Sequence, residues 1–147
     1  MAGSALFYNE GSLRIGGADF DYLSETIELW LLMTNTTCDT EDDGIALDTD
    51  FTTLDEHDGA NYARKTLGGK TLSKEDASNR TVAKATDVTF TALGAGARDV
   101  DGFMLVWIDG ANKRPFSYHK YETARIADGA DFEVKFRTDT GIWVFQT

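Results

Sequence analysis

The sequence of 147 residues has few of the residues that cross-link or interrupt a chain. It has one cysteine, Cys38, so it forms no intrachain disulfide and no metal site built from several cysteines. It has one proline, Pro115, and no apolar run of the ~18 residues that a membrane-spanning helix needs. The first ten residues lack the basic and apolar segments of a secretion signal. These absences predict synthesis in a reducing cytoplasm and no membrane partner.

Basic residues are scarce in the first part of the chain. Residues 1–60 hold 14 of the 25 acidic residues but only one basic residue, Arg14, whereas residues 61–147 hold 13 basic and 11 acidic residues. An acidic surface repels nucleic acid, so no nucleic-acid partner is expected. The uneven charge favours self-association or docking on a basic protein surface, because opposite fields orient two partners as they meet.

The residues that are abundant are typical of strands. The chain has 18 Thr, 9 Phe, 5 Tyr and 3 Trp, and β-branched or aromatic side chains suit a pleated, half-buried surface. Segment 25–34 predicts a central strand that is covered on both sides near its end. Its apolar residues alternate, with Ile27, Leu29, Leu31 and Met33 on one face and Trp30 and Leu32 on the other. Segment 102–109 is apolar on both faces and predicts a second buried strand, with 116–121 as its hairpin partner.

The C-terminal part predicts a further hairpin. Apolar and charged residues alternate over 132–136, and an apolar segment over 142–146 follows a turn that ends at Gly141. Shorter strand candidates lie at 60–67, 80–85 and 87–93. Seven to nine short strands with Gly-containing turns predict an all-β fold, either an antiparallel β-sandwich or a small, jelly-roll-like barrel.

Two stretches of the sequence do not fit a strand pattern. Residues 1–20 contain four glycines and predict an extended N-terminal arm, ahead of a single sandwich or barrel domain over 21–147. Residues 34–58 are acidic and rich in Thr, and predict a loop far longer than most connections.

The acidic loop contains the strongest candidate metal site. Residues 39–50 place acidic groups at positions one, three, five and twelve and Gly44 at position six, as a calcium-binding loop would. Position twelve is Asp50 rather than the usual bidentate Glu, Leu47 stands where a polar group is usual, and neither flank has helix signals. A solvated acidic loop is the favoured interpretation, calcium is the alternative, and no metal site is assigned.

Residues for catalysis do not form a recognisable pattern. The only histidines, His57 and His119, lack the spacing of a metal pair, and no Gly-x-Ser-x-Gly motif is present. The many acidic residues allow a carboxylate pair for glycan cleavage, but no spacing selects one. We therefore assign no catalytic residue and no cofactor, and expect a protein that is not an enzyme.

Aromatic residues open a different possibility. A carbohydrate-stacking face or a protein interface is one interpretation, and core packing is the favoured one. The residues concerned are Trp30, Trp107, Trp143, Tyr62, Tyr118 and Tyr121.

Three segments together resemble a known family. They are 31–37, 54–67 and 87–98, and the most distinctive part is Tyr62-Ala63-Arg64 after the Asp58-Gly59 turn. They resemble small virion proteins found with the head genes of tailed bacteriophages, the capsid decoration or cement proteins. The resemblance spans about residues 29–108.

This resemblance implies an all-β, non-enzymatic protein that binds the outside of an icosahedral shell, often as a trimer, and helps it resist internal DNA pressure. The expected partners are the major capsid protein and other copies of this chain, as a homotrimer or a dimer, and the expected location is the virion surface after synthesis in the host cytoplasm. A tail or fibre component, or a carbohydrate-binding sandwich module, is the alternative.

The candidate interface residues come from two places in the sequence. Leu6, Phe7 and Tyr8 lie in the predicted arm, which could add a strand to a neighbouring sheet. Tyr62 and Arg64 are the second group, since an arginine offers a planar fork to a neighbour's carboxylate. An ordinary surface Arg beside a packed Tyr is the alternative for this pair.

Overall fold

The computed structural model describes residues 2–41, 43–137 and 141–146, and within them the chain is built almost entirely from strands. One α-helix and two short 3-10 turns, Asp48–Asp50 and Asp76–Ser78, accompany the strands. In chain order the main elements are β1 (Ala2–Phe7), α1 (Asn9–Gly16), β2 (Ile27–Met33), β3 (Lys65–Thr66), β4 (Thr71–Glu75), β5 (Arg80–Lys84), β6 (Val88–Phe90), β7 (Val100–Asp109), β8 (Asn112–Arg125), β9 (Phe132–Val134) and β10 (Trp143–Gln146).

The strands form three antiparallel sheets. The largest has the order β1-β8-β7-β2-β3, and the smaller ones have the orders β10-β5-β4 and β6-β9. The two-residue turn between Asp109 and Asn112 joins β7 to β8, so the predicted hairpin at this point is confirmed. Pro115 lies beside a register shift in the β7-β8 ladder, where a residue without an N–H is tolerated. The predicted all-β, antiparallel fold is confirmed.

The five-stranded sheet is covered on both faces. Leu29, Phe103 and Leu105 point towards the two smaller sheets, and we call this side the strand-covered face. Trp30 and Leu32 belong to a second cluster with Cys38, Ile45 and Phe51 of the acidic loop, and we call this side the loop-covered face. The arrangement is therefore sandwich-like on the first side, with an irregular cover on the second.

The extended N-terminal arm predicted for residues 1–20 is not confirmed. Residues 2–7 are a strand of the main sheet, paired with β8 from Ala2↔Tyr121 to Phe7↔Ser117. Residues 9–16 form α1, which packs on β8, and a Cβ at Gly11 would lie 2.7 Å from a Phe116 ring carbon. Most apolar residues of this segment thus pack against the rest of the chain, whereas Leu13 of α1 stays exposed.

The predicted C-terminal hairpin is wrong. β9 pairs with β6 and β10 pairs with β5, so the two segments join different sheets. Gly141, at a φ of +59°, directs the chain to β5, where Ile142 N donates to Ala83 O at 2.8 Å. The residues of the predicted turn, 138–140, lie outside the described residues. Alternation identified both strands, but it carries no information about the partner of each.

Candidate functional site

A cleft lies at the open side of the sandwich, between the edge strand of the main sheet and the edge strand of the three-stranded sheet. Its volume is about 480 Å³. Phe7 of β1, Ile15 of α1 and Trp143 of β10 form its walls, and Ser117 and His119 of β8 lie at its floor. We call it the Trp143 cleft. It exists because α1 turns back beside β1 and because β10 ends the smaller sheet.

The floor of the Trp143 cleft is a chain of hydrogen bonds. Trp143 Nε1 donates to Ser117 Oγ at 2.8 Å, and Ser117 Oγ lies 2.9 Å from His119 Nε2. Among the described residues no other acceptor lies within hydrogen-bond distance of the Ser117 hydroxyl, so its proton goes to His119 Nε2, which is therefore unprotonated. Burial lowers the pKa of His119 to about 4, which agrees with a neutral ring. The ring proton is therefore on Nδ1.

Sequence reasoning did not find this pair. Ser117 and His119 are two residues apart in a strand, so they point to the same face, and that spacing was the available signal. The third member, Trp143, is 24 positions beyond His119 and reaches the pair only through the packing of β10's sheet on the main sheet. The ring of His119 is also stacked on Phe103, with centroids 4.7 Å apart, which holds the imidazole in place.

The edge of β1 beside the cleft has no strand partner among the described residues. Tyr8 N donates to Phe116 O at 2.9 Å, so the backbone groups of Tyr8 and, by alternation, Leu6 point towards β8. Those of Ala5 and Phe7 point the other way. The outer edge of the main sheet therefore presents outward-directed N–H and C=O groups next to an apolar cleft.

The three candidate interface residues of the predicted arm have different positions. Tyr8 is fully buried on the loop-covered face, where its hydroxyl donates to Cys38 O at 2.8 Å. Leu6 packs against that same cluster and is partly exposed. Phe7 packs against the cluster of the strand-covered face and is partly exposed at the Trp143 cleft. Leu6 and Phe7 thus remain accessible, whereas Tyr8 is a core residue.

Tyr62 and Arg64 lie together, as expected, but around a carboxylate of their own chain. Arg64 donates from Nε and Nη2 to the two oxygens of Glu56 at 2.8 and 2.7 Å, and Tyr62 donates to the same carboxylate at 2.7 Å. The guanidinium of Arg64 lies 3.4 Å from the ring centre of Trp30. The hydrogen bonds to Glu56 raise the pKa of Arg64. The cluster therefore connects the two faces, because Trp30 belongs to the loop-covered face and Tyr62 packs against the cluster of the strand-covered face.

The acidic loop uses its carboxylates to organise its own backbone. Glu41 accepts from Thr37 Oγ1 at 2.7 Å and Thr52 N at 2.9 Å, and Asp50 accepts from the backbone N–H groups of residues 46 and 47. Asp39 pairs with Lys120 at 2.7 Å. Asp42 lies outside the described residues. Among the residues that are described, no group of three His, Cys, Asp or Glu is arranged to hold a metal ion.

His57 lies apart from His119, under the loop that follows β6. Its Nε2 is 3.1 Å from Gly94 O, and its ring packs edge-on against Tyr62 with centroids 5.4 Å apart. Its Nδ1 is buried without a hydrogen-bond partner within the described chain. The close approach of Gly59 and Gly96 to the ring leaves no space for a Cβ at either position.

The aromatic residues proposed as a stacking face are not on the surface. Five of them are buried and Tyr62 is partly buried; the buried ones are Trp30, Trp107, Trp143, Tyr118 and Tyr121. They pack in the two clusters that flank the main sheet. The favoured interpretation of core packing therefore describes them, and they do not form a platform for sugar rings.

Within the described residues, no helix has the length and apolar content that crossing a bilayer requires. Comparison of the chain with protein-family models, with curated proteins and with solved structures gives no match.

Proposed function

We propose that the chain is a structural virion protein that decorates the outer surface of a tailed-phage head and stabilises it. The proposal joins the resemblance of residues 29–108 to decoration proteins with one observation, the outward-directed backbone edge of β1. A protein that must attach at many equivalent positions on a shell needs an attachment element that is always ready to bind. An edge strand that is already ordered is such an element.

Strand addition at β1 would supply affinity without a large apolar patch. An extended segment of the shell protein, or of a second copy, can pair with the outward groups of Ala5 and Phe7. The strand is already paired to β8 on its inner side, so little ordering entropy is lost when the partner binds. The attachment element is then the edge of the folded sheet, rather than a free arm.

The negative charge of residues 34–58 indicates which face of the protein would turn towards its partner. Nine acidic residues and no basic residue fall in segment 34–58, and this segment covers one face of the main sheet. A basic surface on the partner would orient this face towards it during encounter. The same field disfavours contact with the DNA that the shell encloses.

The first test asks whether the chain is part of a particle. Heads purified from the bacterium and phage that encode it are analysed by mass spectrometry, and the expected result is stoichiometric detection of the chain. Its absence from purified particles overturns the proposed function. Heads lacking the chain, made by deleting its gene, are expected to burst at lower temperature and to regain stability when the purified protein is added.

The second test addresses the edge of β1. Ala5→Pro removes one outward-directed N–H while leaving the ladder to β8 intact, and Ala5→Val is the matched control that keeps the N–H. We expect Ala5→Pro to lower binding to undecorated heads at least tenfold and Ala5→Val to bind normally, with similar melting curves for both. Equal binding by the two variants would contradict attachment through this edge.

A further inference from the structure

We infer that the Trp143 cleft is a binding site for a small, uncharged molecule with an apolar body and one hydrogen-bond acceptor. The inference concerns a soluble ligand and does not depend on the proposed function. It rests on the size of the cleft, on the absence of charge from its lining, and on the donor that His119 places at its floor.

The size and the walls suit a small organic molecule. Ligand pockets commonly have volumes of about 300–1,000 Å³ and are lined mostly by apolar side chains with a few polar groups. The Trp143 cleft has about 480 Å³ and is walled by Phe7, Ile15, Ile142 and Trp143. Phe7 and Trp143 meet edge to face, with centroids 5.5 Å apart, so the walls hold each other in position.

The lining excludes a charged ligand. None of the described residues that line this cleft is Lys, Arg, Asp or Glu. The nearest charged residues on α1, Glu10 and Arg14, pair with each other at 2.8 Å and so do not offer a counter-ion. Moving an ion from water into an apolar cleft without a counter-charge is strongly unfavourable. A neutral molecule avoids this cost.

The floor specifies a hydrogen-bond acceptor on the ligand. Ser117 Oγ is already used twice, as an acceptor from Trp143 and as a donor to His119 Nε2. His119 therefore presents an N–H at Nδ1, for which the described residues offer no acceptor. Because burial keeps the imidazole neutral, this donor persists across the physiological pH range. A ketone, ester or ether oxygen of the ligand can accept a hydrogen bond from this N–H. A ligand N–H group cannot, because it is itself a donor.

The experiment uses prodan, a neutral naphthalene ketone whose fluorescence reports the polarity and hydrogen bonding around its carbonyl. Titration into the full-length protein is expected to give saturable, 1:1 binding, with energy transfer from tryptophan because Trp143 forms a wall of the cleft. A linear, non-saturable signal would overturn the inference.

Two matched substitutions locate the binding. Ser12 is exposed on α1 at the cleft, so Ser12→Phe should fill it and lower prodan affinity at least tenfold. Ser78→Phe places the same ring in the exposed turn Asp76–Ser78 and should leave affinity unchanged. Equal affinities for the two variants would place the probe elsewhere and overturn the inference.

The role of His119 is tested separately. His119→Phe keeps an aromatic ring against Phe103 and removes the N–H at Nδ1. The expected result is an affinity lower by about 2- to 10-fold, as for one hydrogen bond, and a blue shift in prodan emission as its carbonyl loses the donor. Emission and affinity identical to the wild type would contradict the acceptor requirement. Thermal melting of each variant checks that it is folded.

Discussion

The two faces of the five-stranded sheet are covered in opposite ways. On the strand-covered face, side chains of β5, β6 and β9, together with Trp143 of β10, belong to the same cluster as Leu29 and Phe103. On the loop-covered face, Trp30 and Leu32 are buried by a segment whose regular structure is limited to the turn Asp48–Asp50. Both covers exclude water from leucines of the same strand. They differ in the hydrogen bonds that hold the covering segments in their conformation.

Side-chain oxygens replace the sheet ladder in the loop cover. Thr37, Glu41 and Asp50 accept or donate to backbone groups of the same loop, and Tyr8 fixes the carbonyl of Cys38. Such local bonds let a polar segment satisfy its backbone without forming a strand. The acidic residues of this loop therefore have a structural use in addition to their charge.

The largest expected effect compares two leucines of β2 that are both fully buried, Leu29 on the strand-covered face and Leu32 on the loop-covered face. Leu29→Ala should lower the free energy of unfolding by about 4 kcal/mol and Leu32→Ala by about 2–3 kcal/mol. The smaller loss is expected because an irregular loop collapses into a cavity more readily than two sheets do. Urea denaturation measures both values, and equal losses would show that the two covers are equally rigid.

The second expected effect is a pH dependence of the free energy of unfolding, caused by His119, whose ring stacks on Phe103 of the strand-covered face. The pKa of His119 is 6.5 in its ordinary state and about 4 in the folded chain, so the unfolded chain binds more protons between these values. Stability therefore rises with pH across this window and falls as pH drops from 6.5 towards 4, by about 3 kcal/mol in total.

The measurement is the unfolding free energy of the wild type and of His119→Phe at several pH values. The difference between the two proteins should change across the window from pH 6.5 to 4 and be flat above it. A constant difference would show that this imidazole titrates normally in the folded chain.

The third effect is a loosened loop cover. Tyr8→Phe removes the bond to Cys38 O and leaves that buried carbonyl without its donor, which should cost about 1–2 kcal/mol. Burial raises the pKa of Tyr8, so its hydroxyl remains a donor at all physiological pH values. Hydrogen exchange should accelerate over residues 38–54.

The matched control for this prediction is Tyr22→Phe, which removes a similar bond to Lys84 O at 2.7 Å beside the smaller sheet. It should leave exchange in the loop unchanged. Faster loop exchange in both variants would point to general destabilisation instead of a local anchor.

The smallest effect concerns the Arg64 cluster. Arg64→Lys keeps the charge but loses the two-pronged contact with Glu56 and the planar stacking on Trp30, and we expect a loss of about 0.5–1 kcal/mol. Arg14→Lys, at a helical pair with Glu10, is the control and should change stability by less than about 0.5 kcal/mol. Thermal denaturation separates the two, and equal shifts would show that the stacking on Trp30 adds nothing.

Sequence reasoning was most successful where burial follows a local period. The alternation of Ile27, Leu29 and Leu31 against Trp30 and Leu32 predicted which residues face which side of β2, and the structure confirms it. The same alternation placed Met33 on the face of Ile27, but Met33 lies beyond a register shift and belongs to neither cluster. The alternation therefore holds only as far as Leu32. A bulge of this kind has no signature in the alternation itself.

The candidate site was less predictable, because its parts come from distant positions. Leu6 and Phe7 were selected as interface residues of an arm, and they lie instead at the edge of a folded sheet. Arg64 was expected to seek a carboxylate, but that carboxylate is Glu56, eight residues earlier in the same chain. Ser117 and His119 drew no attention as a pair, since their third partner Trp143 belongs to another sheet.

The amino-acid sequence by itself determined the strand-rich class, the apolar residues of the main sheet and the acidic character of residues 34–58. These are local properties, because the hydrophobic period, the composition and the charge of a segment do not depend on which other segments it packs against. Only the tertiary structure decided that β9 and β10 join different sheets, that an acidic loop covers one face, and that a cleft opens beside β1. Those outcomes depend on which long-range partner buries each apolar face best, and that competition is settled only when all the faces pack together.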